Sequence, residues 1–438
     1  MPMTNSNPIS RRLLLGGAAG ITAAGLAGVG TRTAHALPEI GTTIHPRGQQ
    51  FPLGWYDIGA DRPADQVQEP MDPLVAMQSE KRFGWNMVHR YADDKPRHDE
   101  IMAETLRLAE IARMGALLQL PYTGKINDPG GRVGVPEAEF AAYVQRFAAS
   151  PALAWWDIPE EMRYWYRNEM DIVRNYSAWA RQYDPLQRPV MMYTPNHYSA
   201  SALANYIPYI DIAPISSYTT YAGQPHVWVR WRMEQMLQAI ELAGAEVGSD
   251  YLAGQKTPIA ALELYHASTA EWMTPEGTYH DFWAALASGA RGIFVYSFYR
   301  RNGGPVLLDS LDAYNKAASE LTSGDRLDQV LLNGTDADDV TFEVLSGQPE
   351  VDPFTPYGVT EPITLPSVKV LAKRHDGVLH VIAVNSHTEP VSIRLSGSRR
   401  SGGMAQLPYE HDQVRITDGS LDLDFPGLGV HVLRIGED

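Results

Sequence analysis

The chain has 438 residues, with 36 Lys and Arg against 52 Asp and Glu, and therefore a formal net charge of −16 at pH 7. This acidic balance argues against nucleic acid and anionic membrane surfaces as partners, because both require basic patches. The absence of cysteine excludes disulfides, thiol catalysis and cysteine-ligated metal sites. The composition is compatible with an enzyme that acts on neutral polymers.

The first 36 residues have the features of an export signal. Arg11 and Arg12 precede an uncharged, glycine-rich stretch, and Ala34 and Ala36 supply small residues at the positions that a signal peptidase reads. The paired arginines predict twin-arginine export, cleavage after Ala36 and a secreted or periplasmic protein without stable membrane insertion. An uncleaved membrane anchor is the alternative, but so many glycines make a poor membrane span.

Between the leader and about residue 330, short apolar runs alternate with segments of helical spacing, such as the apolar stripe over Phe140–Phe147. Eight runs rich in Val, Ile, Leu and aromatic residues are strand candidates: Phe51–Ile58, Trp85–Tyr91, Ala116–Tyr122, Leu153–Ile158, Pro189–Tyr193, Ile210–Ile215, Pro258–Leu264 and Gly292–Phe298. These runs are too apolar for a half-exposed sheet, so they predict parallel strands buried on both faces. Eight such strand–helix units predict an α/β fold, the TIM (β/α)8 barrel.

An open doubly wound sheet is the alternative to a barrel. It would require a glycine-rich phosphate-binding turn after its first strand. The sequence over Gly54–Asp57, GWYD, does not resemble such a turn. The barrel is therefore the preferred fold.

The pattern changes to alternating strands after about Leu331. The strand candidates there are Val368–Arg374, Val378–Val384, Val391–Leu395, Val414–Ile416 and Val430–Ile435. They predict an antiparallel β-sandwich, with residues 345–366 as a loop or edge segment. The predicted organisation is a signal peptide at 1–36, a catalytic barrel at 37–330 and the sandwich at 331–438. Because the sandwich lacks a row of exposed aromatic residues, we expect it to pack on the barrel.

The polar residues that end the predicted strands are the site candidates, because active sites of barrel enzymes lie at the carboxyl ends of the strands. They are Asp57, His89, Arg90, Glu160, Glu161, Asn196, His197, Tyr218, Glu263 and Tyr296. Two carboxylates that face each other across one mouth are required for glycoside hydrolysis. Glu263 is the strongest candidate, because an acid within an apolar strand is rarely structural unless it is paired. A buried structural ion pair between Glu263 and Arg90 is the alternative.

Aromatic residues give a second indication. The chain has 10 Trp and 22 Tyr, and sugar rings pack their apolar faces on aromatic rings. Trp156 is a candidate sugar contact at the end of the fourth strand. The alternative is that such strand aromatics fill the barrel core or the helix layer.

The strand placement resembles clan A-like retaining glycoside hydrolases, which are built on (β/α)8 barrels. The resemblance rests on three features: the run Gly84–Val88 that leads to Arg90, the segment Ala284–Ser297, which is similar to the last helix and strand of beta-galactosidase-like members, and the tail Val430–Ile435. It implies an acid/base glutamate at the end of strand four and a nucleophilic glutamate at the end of strand seven.

The sequence departs from that clan at one position. The clan places Asn immediately before the strand-four glutamate, whereas this chain has Pro159-Glu160-Glu161. Either glutamate is therefore a candidate acid/base, with Glu161 slightly favoured. A first-turn helix glutamate without a catalytic role is the alternative for both.

The predicted function is a secreted glycoside hydrolase that cleaves a poly- or oligosaccharide by a retaining mechanism. Arg90 and Tyr218 are expected to hold the nucleophile, Glu263. The alternatives are a carbohydrate-binding barrel without turnover and a metal-assisted hydrolase that uses Asp57, Asp93 and Asp94. The spacing of these acids is not diagnostic, and no metal or other cofactor is assigned.

Overall fold

The computed structural model describes residues 40–44, 48–58, 72–91, 97–125, 128–265, 273–298 and 307–437. The predicted export signal lies outside these residues, as do Asp93 and Asp94. No helix within the described ranges is both long enough and apolar enough to span a membrane.

Eight parallel strands form a closed barrel, which confirms the predicted fold class. They are β1 (Leu53–Tyr56), β2 (Met87–His89), β3 (Gly115–Gln119), β4 (Leu153–Ile158), β5 (Val190–Met192), β6 (Ile212–Ser216), β7 (Thr257–Glu263) and β8 (Ile293–Tyr296). Each strand pairs with its sequence neighbours, and β8 closes the barrel against β1. The predicted acids Glu160 and Glu263 consequently lie at the same end of the barrel.

The described helices surround the barrel and follow the strands in alternation. They are α1 (Pro73–Lys81), α2 (His98–Ala112), α3 (Glu137–Phe147), α4 (Arg167–Tyr183), α5 (Ala200–Leu203), α6 (Thr219–Ala222), α7 (Trp228–Leu242), α8 (Pro275–Ala287), α9 (Leu308–Thr322) and α10 (Leu327–Asn333). α6 is a single turn that begins shortly after β6.

Strand alternation divides the barrel residues between two cores. Trp155 faces the barrel interior, where its ring lies 5.8 Å from that of Phe294. Its neighbour Trp156 points outward into the helix layer, close to Tyr143 of α3. Successive side chains of a strand point to opposite faces, so two adjacent tryptophans serve different layers.

Nine strands of the C-terminal region form one antiparallel sheet, which curls around its own core and confirms the predicted antiparallel domain. They are β9 (Thr335–Asp336), β10 (Thr341–Ser346), β11 (Val368–His375), β12 (Val378–Asn385), β13 (Val391–Ser396), β14 (Gly402–Leu407), β15 (Asp412–Thr417), β16 (Ser420–Phe425) and β17 (Val430–Gly436). The order across the sheet is β9-β11-β12-β17-β14-β15-β16-β13-β10.

The outer face of this sheet packs against the barrel. Ile382 and Val384 of β12 belong to the same buried core as the barrel helices. Tyr409 stacks near Trp283 of α8, and its hydroxyl donates to the backbone carbonyl of Glu320 on α9 at 2.7 Å. The sheet therefore supports α8 and α9, the two helices that flank β8.

Candidate active site

Tyrosine rings line the mouth of the barrel. The ring of Tyr296, at the end of β8, lies 5.8 Å from Tyr56, 5.9 Å from Tyr218, 5.2 Å from Tyr265 and 6.3 Å from Tyr91. These residues come from the ends of β1, β2, β6, β7 and β8. Tyr91 and Tyr296 are partly exposed, whereas Tyr56, Tyr218 and Tyr265 are buried behind them. The two partly exposed tyrosines combine an apolar ring with a polar hydroxyl, which suits contact with a sugar.

Glu160 lies among other carboxylates at this mouth. Its Oε1 accepts a hydrogen bond of 2.6 Å from the hydroxyl of Tyr91. Burial raises the pKa of Glu160 well above its usual range, and the charges of Asp157, Glu161 and Asp57 raise it further, against the lowering effect of Tyr91. The environment of Glu160 therefore favours its protonated form.

Asp157 and His89 lie directly beside Glu160. His89 Nε2 is 3.1 Å from Asp157 Oδ2, and both side chains are fully buried. Burial lowers the pKa of His89 to about 4 and raises the pKa of Asp157. The imidazole is consequently neutral at pH 7, and it orients Asp157 rather than balancing a charge.

Glu161 has its backbone in the left-handed region, with φ of 52°. Its backbone carbonyl accepts from Arg132 Nη2 at 2.6 Å, and the carbonyl of Glu160 accepts from Nη1 of the same guanidinium. Arg132 is 4% exposed, and its Nη2 lies 3.7 Å from Glu169 Oε2. One buried arginine therefore fixes the backbone that carries both candidate acids.

The carboxylate of Glu263, at the end of β7, is held by three hydrogen-bond donors. Its carboxylate accepts from the backbone N–H groups of Thr220 and Tyr221, the latter at 3.1 Å, and from the hydroxyl of Thr219 at 3.1 Å. Burial raises the pKa of Glu263 to about 7, and the charge of Asp281 adds to this rise, against the three hydrogen bonds, which lower it. Glu263 thus caps the amino end of α6 and is ready to ionise near neutral pH.

Two groups of described residues bring three ligand-type atoms within 4.8 Å of one another: His89, Asp157 and Glu160, and His226, His280 and Asp281. In the second group, both imidazoles contact one carboxylate oxygen of Asp281, at 2.8 and 2.9 Å, so hydrogen bonds account for the arrangement. The first group is the better candidate for a divalent ion, because neutral imidazole and carboxylates are suitable ligands.

The remaining predicted residues lie around the same mouth. Asp57 Oδ1 accepts from the backbone N–H of Tyr91 at 3.1 Å. Asn196 is 7% exposed, whereas His197 is exposed, 6.2 Å from the ring of Tyr357 in the C-terminal region. The ring of Tyr218 stacks beside that of Tyr193, 6.2 Å away. These positions agree with roles in lining the mouth, which stay predictions.

The expected pairing of Arg90 and Tyr218 with Glu263 also stays a prediction. Arg90 is 5% exposed at the end of β2, and its charge contributes to lowering the pKa of Glu104 on α2. The donors to the Glu263 carboxylate described above come from Thr219 to Tyr221, directly after Tyr218. Tyr218 therefore lies one residue before the turn that holds the carboxylate.

The predicted sugar contact of Trp156 is corrected by the structure. Trp156 is fully buried on the outer face of β4, and its Nε1 donates to Asp184 Oδ2 at 2.9 Å. The strand alternation that places Asp157 in the interior directs Trp156 toward the helices. Its role is to pack the helix layer.

Sequence reasoning did not select several residues of this mouth, among them Tyr91, Asp157, Tyr193 and Thr219. Asp157 carried a usable signal, because it interrupts the apolar run LAWWDI in the way that Glu263 interrupts its own strand. For Tyr91 and Tyr193, the only signal in the sequence was their position at the end of a predicted strand. Thr219 had no such signal, since its importance depends on its contact with Glu263, 44 residues away.

No protein-family model matches the chain, and no curated protein matches it. Solved structures with a similar fold include the Anoxybacillus alpha-amylase, at 10% identity and a TM-score of 0.51, covering 89% of this chain and 98% of that one. The alpha-amylase from H. orenii has 10% identity and a TM-score of 0.51, covering 88% and 99%. A putative alpha-galactosidase/melibiase from Bacteroides fragilis has 11% identity and a TM-score of 0.50, covering 88% and 79%.

Proposed function

We propose that this protein is a glycoside hydrolase that cleaves O-glycosidic bonds of a poly- or oligosaccharide. Its fold is similar to those of two solved alpha-amylases. A shared fold does not by itself imply a shared activity. The observation that supports the proposal is the contrast between Glu160, whose protonated form is favoured by burial and by the charges of three nearby carboxylates, and Glu263, whose carboxylate accepts three hydrogen bonds.

The two environments suit the two roles in a retaining mechanism. The carboxylates near Glu160 favour its protonated form, which donates a proton to the leaving oxygen as the glycosidic bond breaks. The three donors at Glu263 favour the ionised form, which bonds to the anomeric carbon. Water then attacks this glycosyl-enzyme, Glu160 takes the water proton, and Glu263 leaves as a carboxylate.

Glu160 is the better candidate than Glu161 for the acid/base. Glu160 accepts the hydroxyl of Tyr91, and its carboxyl lies within 4.8 Å of the ligand-type atoms of Asp157 and His89. The backbone N–H of Glu161 donates to the carbonyl of Tyr193, at the end of β5, at 2.9 Å. We therefore assign the proton to Glu160 and a position beside β5 to Glu161.

The experiment uses the chain from residue 37 onward, because we also propose that residues 1–36 direct export. Wild type and Glu263→Gln are incubated with a panel of bacterial and plant cell-wall polysaccharides and α-glucans, and released reducing ends are measured. The proposal expects release by the wild type and loss of at least about a thousandfold in the variant, as expected for loss of a nucleophile. Equal release from both would remove Glu263 from this role.

A metal-assisted hydrolase is a second candidate, supported by the group His89, Asp157 and Glu160. A divalent ion there would be bound by one neutral imidazole and two carboxylates. Treatment with a chelator, followed by dialysis, distinguishes the two proposals. Full activity after chelation would leave the two-glutamate mechanism, and loss that added Zn²⁺ or Mn²⁺ restores would favour the metal.

A further inference from the structure

The hydroxyl of Thr219 lies between two carboxylates. Its Oγ1 is 3.1 Å from Glu263 Oε1 and 3.2 Å from Asp281 Oδ2. A threonine hydroxyl carries one proton, so it can donate to only one of the two carboxylates at a time. The charge of Asp281, on α8, therefore influences whether the Thr219 hydroxyl donates its hydrogen bond to Glu263.

Asp281 is held in its ionised form by two imidazoles. His226 Nδ1 and His280 Nδ1 approach the same oxygen, Oδ1, at 2.8 and 2.9 Å. Although burial alone would raise it, the pKa of Asp281 is lowered by these two histidines. The remaining oxygen, Oδ2, faces Thr219 as a fixed negative charge.

The connection continues from α8 to the C-terminal sheet. The side chain of His280 is fully buried, and its Nε2 lies 2.9 Å from the hydroxyl of Ser386, which follows β12. The backbone N–H of Ser386 donates to the carbonyl of Ser367 at 2.7 Å. An unbroken set of side-chain contacts thus runs from the mouth of the barrel into the sheet.

We propose that Asp281 is a positioning residue for Glu263, acting through Thr219, and that Ser386 of the C-terminal sheet fixes Asp281 through His280. The inference rests on the proposed role of Glu263 as nucleophile. It makes the sheet part of the catalytic apparatus, because the orientation of the nucleophile depends on a residue that the sheet supplies. Small misplacements of a reacting group can cost about a hundredfold in rate.

The proposal predicts opposite electrostatic effects for two substitutions. Asp281→Asn removes a negative charge near Glu263 and lowers its pKa, whereas Thr219→Val removes a donor and raises it. Thr219→Ser keeps the hydroxyl and retains the wild-type pKa. Within the described residues, the titratable groups next to Glu263 also include Tyr314, which donates to the Glu263 backbone carbonyl at 2.9 Å, and Tyr296, which is paired with Glu263 across β7 and β8.

The test is an infrared titration of the Glu263 carboxyl in the full chain, with its band assigned by its loss in Glu263→Gln. In parallel, kcat and KM are measured on the polysaccharide that the panel identifies. We expect kcat to fall about tenfold in Asp281→Asn and Thr219→Val with KM nearly unchanged, which is the pattern for a group that acts in the transition state. Ser386→Ala should lower kcat about threefold.

Matched controls separate positioning from general damage. Asp184→Asn alters a buried aspartate that contacts Trp156 and Arg188 in the helix layer. Ser392→Ala removes a serine hydroxyl of the same sheet that contacts Asp424. Both controls should leave the pKa of Glu263 and kcat unchanged.

The outcomes are decisive in either direction. Shifts of the same sign in Asp281→Asn and Thr219→Val, or none in either, would overturn the positioning role of Asp281. A wild-type kcat in Ser386→Ala would overturn the role of the sheet. If Asp281→Asn does not fold, the Thr219→Val and Thr219→Ser pair still tests whether the Thr219 hydroxyl positions Glu263. Ser386→Ala still tests the contact of the sheet with His280. Full activity in Glu263→Gln would instead refute the proposed function, while the infrared result would stand by itself.

Discussion

Tyr91 donates its hydroxyl to Glu160 Oε1 at 2.6 Å, although the two residues are 69 positions apart in the chain. The backbone N–H of Tyr91 is in turn held by Asp57 at 3.1 Å. Tyr91 thereby connects residues from the ends of β1 and β4 through two hydrogen bonds. This contact fixes the orientation of the Glu160 carboxyl group.

Substitution of Tyr91 by Phe should remove the hydrogen bond to Glu160 and change the pKa of this carboxyl group. The hydrogen bond from Tyr91 lowers the pKa of Glu160, so its loss raises this pKa. The alkaline limb of the pH profile of kcat/KM, where Glu160 loses its proton, should move to higher pH. We expect kcat at pH 7 to fall by up to about tenfold, because general acid catalysis contributes about 10²–10⁴-fold. An unmoved alkaline limb in a variant that unfolds at the wild-type temperature would contradict the assignment.

Glu160→Gln and Glu161→Gln should respond differently to the leaving group. A general acid is needed for a poor leaving group, such as a sugar hydroxyl, and hardly needed for a good one, such as dinitrophenolate. Glu160→Gln should therefore lose about a hundredfold or more on the polysaccharide and far less on an activated aryl glycoside of the same sugar. Glu161→Gln serves as the matched control and should lose similar activity on both. The reverse pattern would assign the proton to Glu161.

The free energy of unfolding should depend on pH because of the raised pKa of Glu263. Its folded pKa, about 7, lies above the value of 4.5 expected when exposed. A carboxyl group with a raised folded pKa stabilises the folded state fully below its unfolded pKa, and this contribution is lost as pH rises through its folded pKa. A shift of this size corresponds to about 3 kcal/mol.

Denaturant unfolding of wild type and Glu263→Gln at pH 5 and pH 8 measures this effect. The free energy of unfolding of the wild type, relative to the variant, should fall by up to about 3 kcal/mol between these two pH values. Any constant cost of the Gln side chain cancels in this comparison. A relative free energy that is independent of pH would show that the pKa of Glu263 is not raised by burial.

Trp156→Phe should affect stability and spare catalysis. Trp156 packs in the helix layer, and its indole N–H bonds to Asp184. Loss of this bond and of part of the buried ring should lower the free energy of unfolding by about 1–3 kcal/mol. The variant should retain kcat and KM on the polysaccharide within about twofold at a temperature where it is folded. A large rise in KM would restore Trp156 as a sugar contact.

The sequence by itself determined the architecture. Eight apolar runs separated by helical segments are apolar on both faces, so they require a parallel sheet that is covered on both faces. Eight such strand–helix units close into a barrel. The acid in the apolar run TPIAALE was visible for the same reason, since burying a carboxyl group is costly without a function or a partner. Both inferences use local pattern alone.

Tertiary structure decided the roles of individual side chains. Both faces of a barrel strand are apolar, so the sequence could not tell whether Trp155 or Trp156 faces the interior. Thr219 and Asp281 are 62 residues apart, and only closure of the barrel with α8 against it brings them to Glu263. Hydrogen bonds and pKa shifts depend on distances of a few ångströms between remote segments, which a local pattern does not contain.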